Sequence, residues 1–186
     1  MSMRRVAAKA GMKFGNLTYH YRSRRALVNE LLDAIFRAYD VQTVAIQRHQ
    51  TPHPEDRLVE VCTFALQANR TKKTARLFPE LWALSNHDRF VSDRVHALYR
   101  RSVVPVVEVV KGMRPDLPDD ACMALSIFIT AAIEGIMVHA GYKKQFEPWV
   151  PAFERIAARS LVDLVKNVTV EEVGRLPVIS VLSAKG

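Results

Sequence analysis

The residues best placed to do chemistry stand at the N-terminus, and the chemistry is recognition of a polyanion. Arg4, Arg5, Lys9, Lys13, Arg22, Arg24 and Arg25 put seven positive charges and no negative one into the first 25 residues, whereas the whole chain of 186 residues carries +8. The remainder is therefore close to neutral, and a basic end of this kind usually faces the phosphate backbone of a nucleic acid. The pattern between the charges sharpens the reading. Ser2 is a good N-cap for a short helix, Met3 to Ala10, with Val6 and Ala10 on one face, Ala7 beside them, and Arg4, Arg5 and Lys9 outside. Gly11 fits the left-handed position that ends a helix. A second helix runs from Lys13 or Phe14 to Tyr21, with Leu17 and Tyr21 inward. Two short helices joined at a glycine have the spacing of a helix-turn-helix, whose second helix fits the major groove and reaches base edges from its N-terminal half.

The elements that must carry this head are helical. Ser23 caps a third helix, Arg24 to about Arg48, with Leu27, Leu31, Ile35, Ala38 and Val41 as its apolar set. After a proline-bearing loop at 49–56, helices follow at about 55–72, with Leu58, Cys62, Ala65 and Leu66 inward, and at 74–86, with Leu77, Phe78, Leu81 and Trp82. A long pattern at 88–113 uses Val91, Val95, Leu98, Tyr99, Val103 and Val106, and Pro105 should kink it. Its valine-rich part, 103–110, could be a strand in isolation, but no partner strands are evident, so helix is the reading. Residues 119–142 are apolar almost all round and should be buried on more than one side. The last helix, after Pro148 and Pro151, carries the stripe Phe153, Ile156, Ala157, Ser160, Leu161, Leu164 and Val165, with Glu154, Arg155, Arg159, Asp163 and Lys166 outside.

Composition bounds the rest. A hydrophobic content of 49% supports a real core, and seven glycines and nine prolines suit a helical chain. Cys62 and Cys122 fall within apolar helical patterns and read as buried thiols of a reducing cytosol. No apolar stretch follows the basic N-terminus, so no signal peptide is expected, and the 121–142 run reads as a buried helix rather than a membrane span. The fold class is all-α: a helix-turn-helix head at 1–30, a helical effector-binding and dimerisation domain at 31–168, and a tail at 169–186.

The segment from Val6 to Leu27 resembles the DNA-binding signature of TetR-type transcriptional regulators. Matching positions are Ala7, Ala10, Gly11, Gly15, Leu17, Tyr19, His20, Ser23, Ala26 and Leu27, with conservative changes at Val6, Met12, Tyr21 and Arg24. Departures are Lys13 in place of the serine that caps the recognition helix, Thr18 in place of an aromatic, Asn16 in place of threonine, and Arg25 in place of an acidic residue. Members of the family have a further helix before this motif, so either the true start lies upstream or the head is N-terminally incomplete, and a two-helix head should fray unless something covers Val6 and Leu17. The resemblance implies that Lys13, Asn16 and Thr18 face the DNA, with Lys13 and Asn16 at base edges and Phe14 at a thymine methyl. It also implies that Ser2, Tyr19, His20 and Arg24 bind phosphates.

For the rest of the chain the resemblance implies a homodimer, formed through the helices at about 119–142 and 152–167, that binds palindromic double-stranded operator DNA and answers to a small-molecule effector. Ala131, Ala132, Gly135 and Ala140 would allow close helix approach. A ligand pocket among the middle helices would draw on Phe64, Phe78, Trp82, Tyr99 and Phe128, with Glu134, His87, His96 and His139 as polar candidates; Phe78, Trp82, Tyr99, Phe128 and Glu134 are the first choices. Glu134 interrupts an apolar helix, and a buried carboxylate there needs a partner: an arginine or lysine from a neighbouring helix, or a cationic group on a ligand.

The reading is a ligand-responsive regulator, acting as a repressor in the cytoplasm. The alternative is a small-molecule-binding helical dimer without specific DNA affinity. A helical enzyme is a third class, and it would need a pair such as Glu134 with His139 or His96 to converge. No phosphate loop, Cys-x-x-Cys pair or nucleophile elbow is present, and His87, Asp88 and His96 match no standard metal spacing, so neither catalysis nor a metal or other cofactor is expected.

Overall fold

A computed structural model describes residues 2–48 and 51–173, with side chains described outside 39–50. Every regular element among the described residues is helical: α1 (Met3–Lys9), α2 (Phe14–His20), α3 (Arg24–Arg48), α4 (Pro54–Asn69), α5 (Lys72–Ser85), α6 (Arg89–Met113), α7 (Asp119–Ala140), a 3-10 turn at Glu147–Trp149, α8 (Val150–Asn167) and α9 (Val170–Val173). The chain divides into two compact units at Val44/Ala45, inside α3.

In the first unit the starts of the helices are chemically marked. Ser2 Oγ accepts the Arg5 N–H at 3.4 Å, and Ser23 Oγ accepts that of Ala26 at 3.1 Å. Gly11, at φ +65°, turns the chain between α1 and α2 where a side chain would be strained. Ala7, Leu17, Val28, Leu32, Ile35 and Phe36 are buried. This corrects the expected register of two helices. On α1 Ala7 is buried and Val6 half-buried as expected, but Ala10 is exposed, and on α3 Val28 and Leu32 go inside while Leu31 and Ala38 face out. The stripe is displaced by one residue because both Leu27–Leu31 and Val28–Leu32 keep helical spacing, and periodicity alone does not choose between them. Leu17 is buried. Val41, the last of the expected set, has a side chain outside the described residues.

The second unit is built around α7. Its inner face, Ala121, Cys122, Leu125, Ile129 and Ile133, meets Leu58, Cys62 and Leu66 of α4, Val106 and Val110 of α6, and Leu161 and Val165 of α8 in one core. Ser126 is fully buried there because its hydroxyl donates to the Cys122 carbonyl at 2.7 Å, and Thr130 repeats the device onto Ser126 at 2.8 Å. Capping explains the other boundaries. Thr71 Oγ1 accepts the Thr74 N–H, Pro54 opens α4, and Asp88 accepts the N–H groups of Phe90 and Val91 at the start of α6. The valine run 103–110 is helical as expected, and α6 runs through the buried Pro105. At the other end, Arg114 ties down α8: one guanidinium nitrogen donates to the carbonyls of Val165, Lys166 and Val168, while the rest of the fork clasps Asp116. Gly141 ends α7, where a Cβ would stand 2.6 Å from the Met137 carbonyl.

Three expectations change. By length and composition α7 could cross a membrane, and it packs in this core, but on one side only: Ile127, Phe128 and Val138 are exposed. On α8 the inner stripe is Val150, Leu161 and Val165 with Ala157 and Leu164 packed beside it, while Ile156 and Ser160 turn outward and Glu154 comes in to pair with Arg70 at 3.4 Å. Residues 170–173 of the expected tail form α9, which joins the core through Val173; residues 174–186 lie outside the described residues.

Candidate DNA-reading head and effector site

On the head, six of the eight expected DNA contacts stand exposed, with no side-chain hydrogen bond among the described residues: Lys13, Phe14, Asn16, Tyr19, His20 and Arg24. Lys13 occupies the N-cap of α2 but makes no side-chain cap, which leaves its ammonium to solvent. The Arg4 guanidinium stands over the exposed Phe14 ring, 5.4 Å from its centre. Tyr19 is 83% exposed and stands edge-on to His20, ring centres 5.3 Å apart. So large an exposure for a tyrosine rules out a packed core pair. Ser2 is engaged in capping α1. Thr18 departs from expectation: half-buried, its hydroxyl donates back to the carbonyls of Phe14 and Gly15 at 3.1 Å, which engages the donor within α2 rather than presenting it outward.

In the second unit, four of the five first-choice pocket residues come together. Phe78 and Trp82 of α5 are one turn apart, rings edge to face at 6.2 Å. The Trp82 indole N–H donates to the Tyr99 hydroxyl of α6 at 2.6 Å, and Tyr99 in turn hydrogen-bonds the Glu134 carboxylate of α7. Burial pushes the Glu134 carboxyl up to about 7, and the Tyr99 hydrogen bond opposes this in part. The expected arginine or lysine partner is replaced by this neutral hydroxyl: among the described residues no cationic side chain pairs with Glu134. Phe128 does not join them. It is 58% exposed, on the outer side of α7. Phe64 is half-buried, and His87, His96 and His139 are on the surface, so neither histidine proposed as a catalytic partner meets Glu134 through a described hydrogen bond.

Sequence reasoning missed a second feature. An open concavity of about 510 Å³ lies between the C-terminal half of α7, the 3-10 turn and the start of α8. Ala132, Gly135, Ile136 and His139 form one wall, and Phe146, Trp149 and Phe153 the other. The signal in the sequence was three aromatics within eight residues around Pro148. The concavity adjoins the exposed apolar residues of α7 and α8, including Trp149 at 62% and Ile156 at 61% exposure.

Residues 54–166, well over half of the chain, match the family model described as the C-terminal domain of BetI-type transcriptional repressors. The chain therefore belongs to the TetR family of transcriptional regulators, and its all-helical fold agrees with that membership. No curated protein and no solved structure matches it.

Proposed function

We propose that this regulator is a repressor that binds a near-palindromic operator as a homodimer and releases it when a small effector enters the second unit. The observation that carries the reading is the conjunction of a family-specific C-terminal domain with a basic helix-turn-helix whose second helix exposes Lys13, Phe14, Asn16, Tyr19 and His20. Lys13 and Asn16 read base edges, while Tyr19, His20 and Arg24, with the α1 N-terminus at Ser2, hold phosphates.

Dimerisation uses the outer side of α7 and α8. Ile127, Phe128 and Val138 of α7 with Trp149 of the 3-10 turn and Ile156 of α8 leave more apolar surface in water than scattered single residues would. A second copy covers it about a two-fold axis, which sets two heads one helical turn, or a multiple, apart on the duplex. The effector acts by favouring a dimer geometry that no longer fits that spacing. The protein works in the cytoplasm, where both thiols stay reduced.

The test is retention of genomic DNA fragments by the full chain at rising salt, beside a Tyr19→Ala, His20→Ala variant. Enrichment of one near-palindromic sequence by the wild type alone supports the reading. Equal retention of bulk DNA by both favours the helical ligand-binding dimer without operator specificity.

A further inference from the structure

The concavity at the C-terminal half of α7 sets small residues on one side and large aromatic ones on the other. Ala132 and Gly135 are the small ones, and a Cβ at Gly135 would meet nothing within 4 Å. Phe146, Trp149 and Phe153 stand opposite, with Phe146 and Trp149 exposed. The lining includes no Asp, Glu, Lys or Arg, so it suits an uncharged, apolar occupant. A volume of about 510 Å³ takes several aliphatic side chains rather than one.

One stretch of this chain has the matching chemistry. The run Leu176-Pro-Val-Ile-Ser-Val-Leu182 carries five branched aliphatic residues and no charge. A run of this composition is costly in water and prone to associate unless something covers it. It also starts close enough. Arg114, just ahead of α7, holds the Val168 carbonyl at 3.0 Å, and α9 follows directly, packs against α7 and ends at Val173. The run therefore begins near the N-terminal end of α7. From Ala121 to Gly135, α7 rises about 21 Å at roughly 1.5 Å per residue. Residues 174–182 reach up to about 30 Å when extended. The tether is long enough, and it makes the contact intramolecular, so it forms at any protein concentration.

We infer that residues 176–182 lie in the concavity of their own chain, with their aliphatic side chains between α7 and the aromatic wall of Phe146, Trp149 and Phe153. The seat goes beyond the dimer reading above. It belongs to a single chain and leaves Ile127, Phe128 and Ile156 for a second copy.

The test reads the accessibility of Trp149, one of two tryptophans, by acrylamide quenching of the full chain. Its signal is the difference between the wild type and Trp149→Phe. The measurement is made over a wide dilution series and repeated with Val178→Asp, Ile179→Asp. Trp149 should be shielded in the wild type at every concentration, and the double variant should lose that shielding. A second measurement places a photo-reactive aliphatic residue at position 179 of the otherwise unaltered chain, in a mixture of heavy and light protein. Its crosslinks should fall on residues 132–153 of the same chain. Equal quenching of Trp149 with and without the aspartates would overturn the inference. So would crosslinks elsewhere or between heavy and light chains. Shielding that disappears on dilution would give the concavity to a second copy, which overturns the inference while favouring the dimer. The dilution series and the crosslinks decide the matter even where the aspartate variant fails to fold.

Discussion

Replacing Glu134 by glutamine should stabilise the protein, and by an amount that depends on pH. Burial lifts the folded-state carboxyl from its ordinary 4.5 to about 7. The folded protein therefore holds this proton more tightly than the unfolded chain does. The carboxyl contributes no penalty below about 4.5, and its cost to stability accumulates as pH rises through about 7. Each pH unit between the ordinary and the folded-state value corresponds to roughly 1.4 kcal/mol, so the full cost above neutrality is about 3 kcal/mol, to order of magnitude. Glutamine keeps the shape and can still accept from Tyr99, but has no charge to desolvate. Urea unfolding of wild type and Glu134→Gln, at one fixed protein concentration from acid to alkaline pH, reads the difference directly. The two midpoints should lie close together below about 4.5 and separate as pH rises, by roughly 1–1.5 M urea if the slope is near 2–3 kcal/mol per molar. Other titrating groups cancel in the difference. Parallel curves with a constant offset would refute the desolvated-carboxylate reasoning.

Other expectations follow from single observations. Cys62, fully buried with its thiol pushed up to about 12, and Cys122, fully buried beside it in the same core, should react with a thiol reagent only after unfolding; fast native-state labelling of either contradicts the packing. Gly11→Ala forces a side chain into the left-handed region and should cost the head about 1 kcal/mol or more, seen as weakened DNA binding with the second unit's unfolding unchanged. Phe128→Asp with Ile156→Asp places charge on the exposed apolar side of α7 and α8, and under the proposed dimer should lower the sedimenting mass from that of two copies to that of one without loss of helicity; an unchanged mass counts against this interface.

Much of the fold was legible because the relevant signals are local. Caps at Ser2 and Ser23, the glycine at position 11 and the helical spacing of Leu58, Cys62 and Leu66 each act within a few residues of themselves. Which of two adjacent stripes faces inward was not legible on α3 or α8. Leu27–Leu31 and Val28–Leu32 have equal spacing, and the choice is made by neighbours distant in sequence. The same limit explains Phe128. An all-apolar helix such as α7 signals burial on every side, and only the packed structure shows which side its own chain leaves open. Glu134 was conspicuous as a charge in an apolar run, but its partner, Tyr99, lies thirty-five positions away on another helix. The concavity at Phe146, Trp149 and Phe153 depends on a 3-10 turn that propensity alone does not reveal. Thr18 was placed among DNA contacts by alignment with the family's motif, whereas a threonine inside a helix commonly bonds back to its own carbonyls, as it does here.

Operator reading by the head is tested most directly by a competition titration of the protein on its enriched operator against unrelated duplex at fixed salt, for the wild type, Lys13→Ala with Asn16→Ala, and Tyr19→Ala with His20→Ala. Wild-type discrimination of about a thousandfold or more is expected. The Lys13, Asn16 pair should lose discrimination, with a shallower salt slope because a cation is removed, and the Tyr19, His20 pair should lose affinity for both duplexes alike. Operator and unrelated duplex bound equally by the wild type would contradict operator reading by this head.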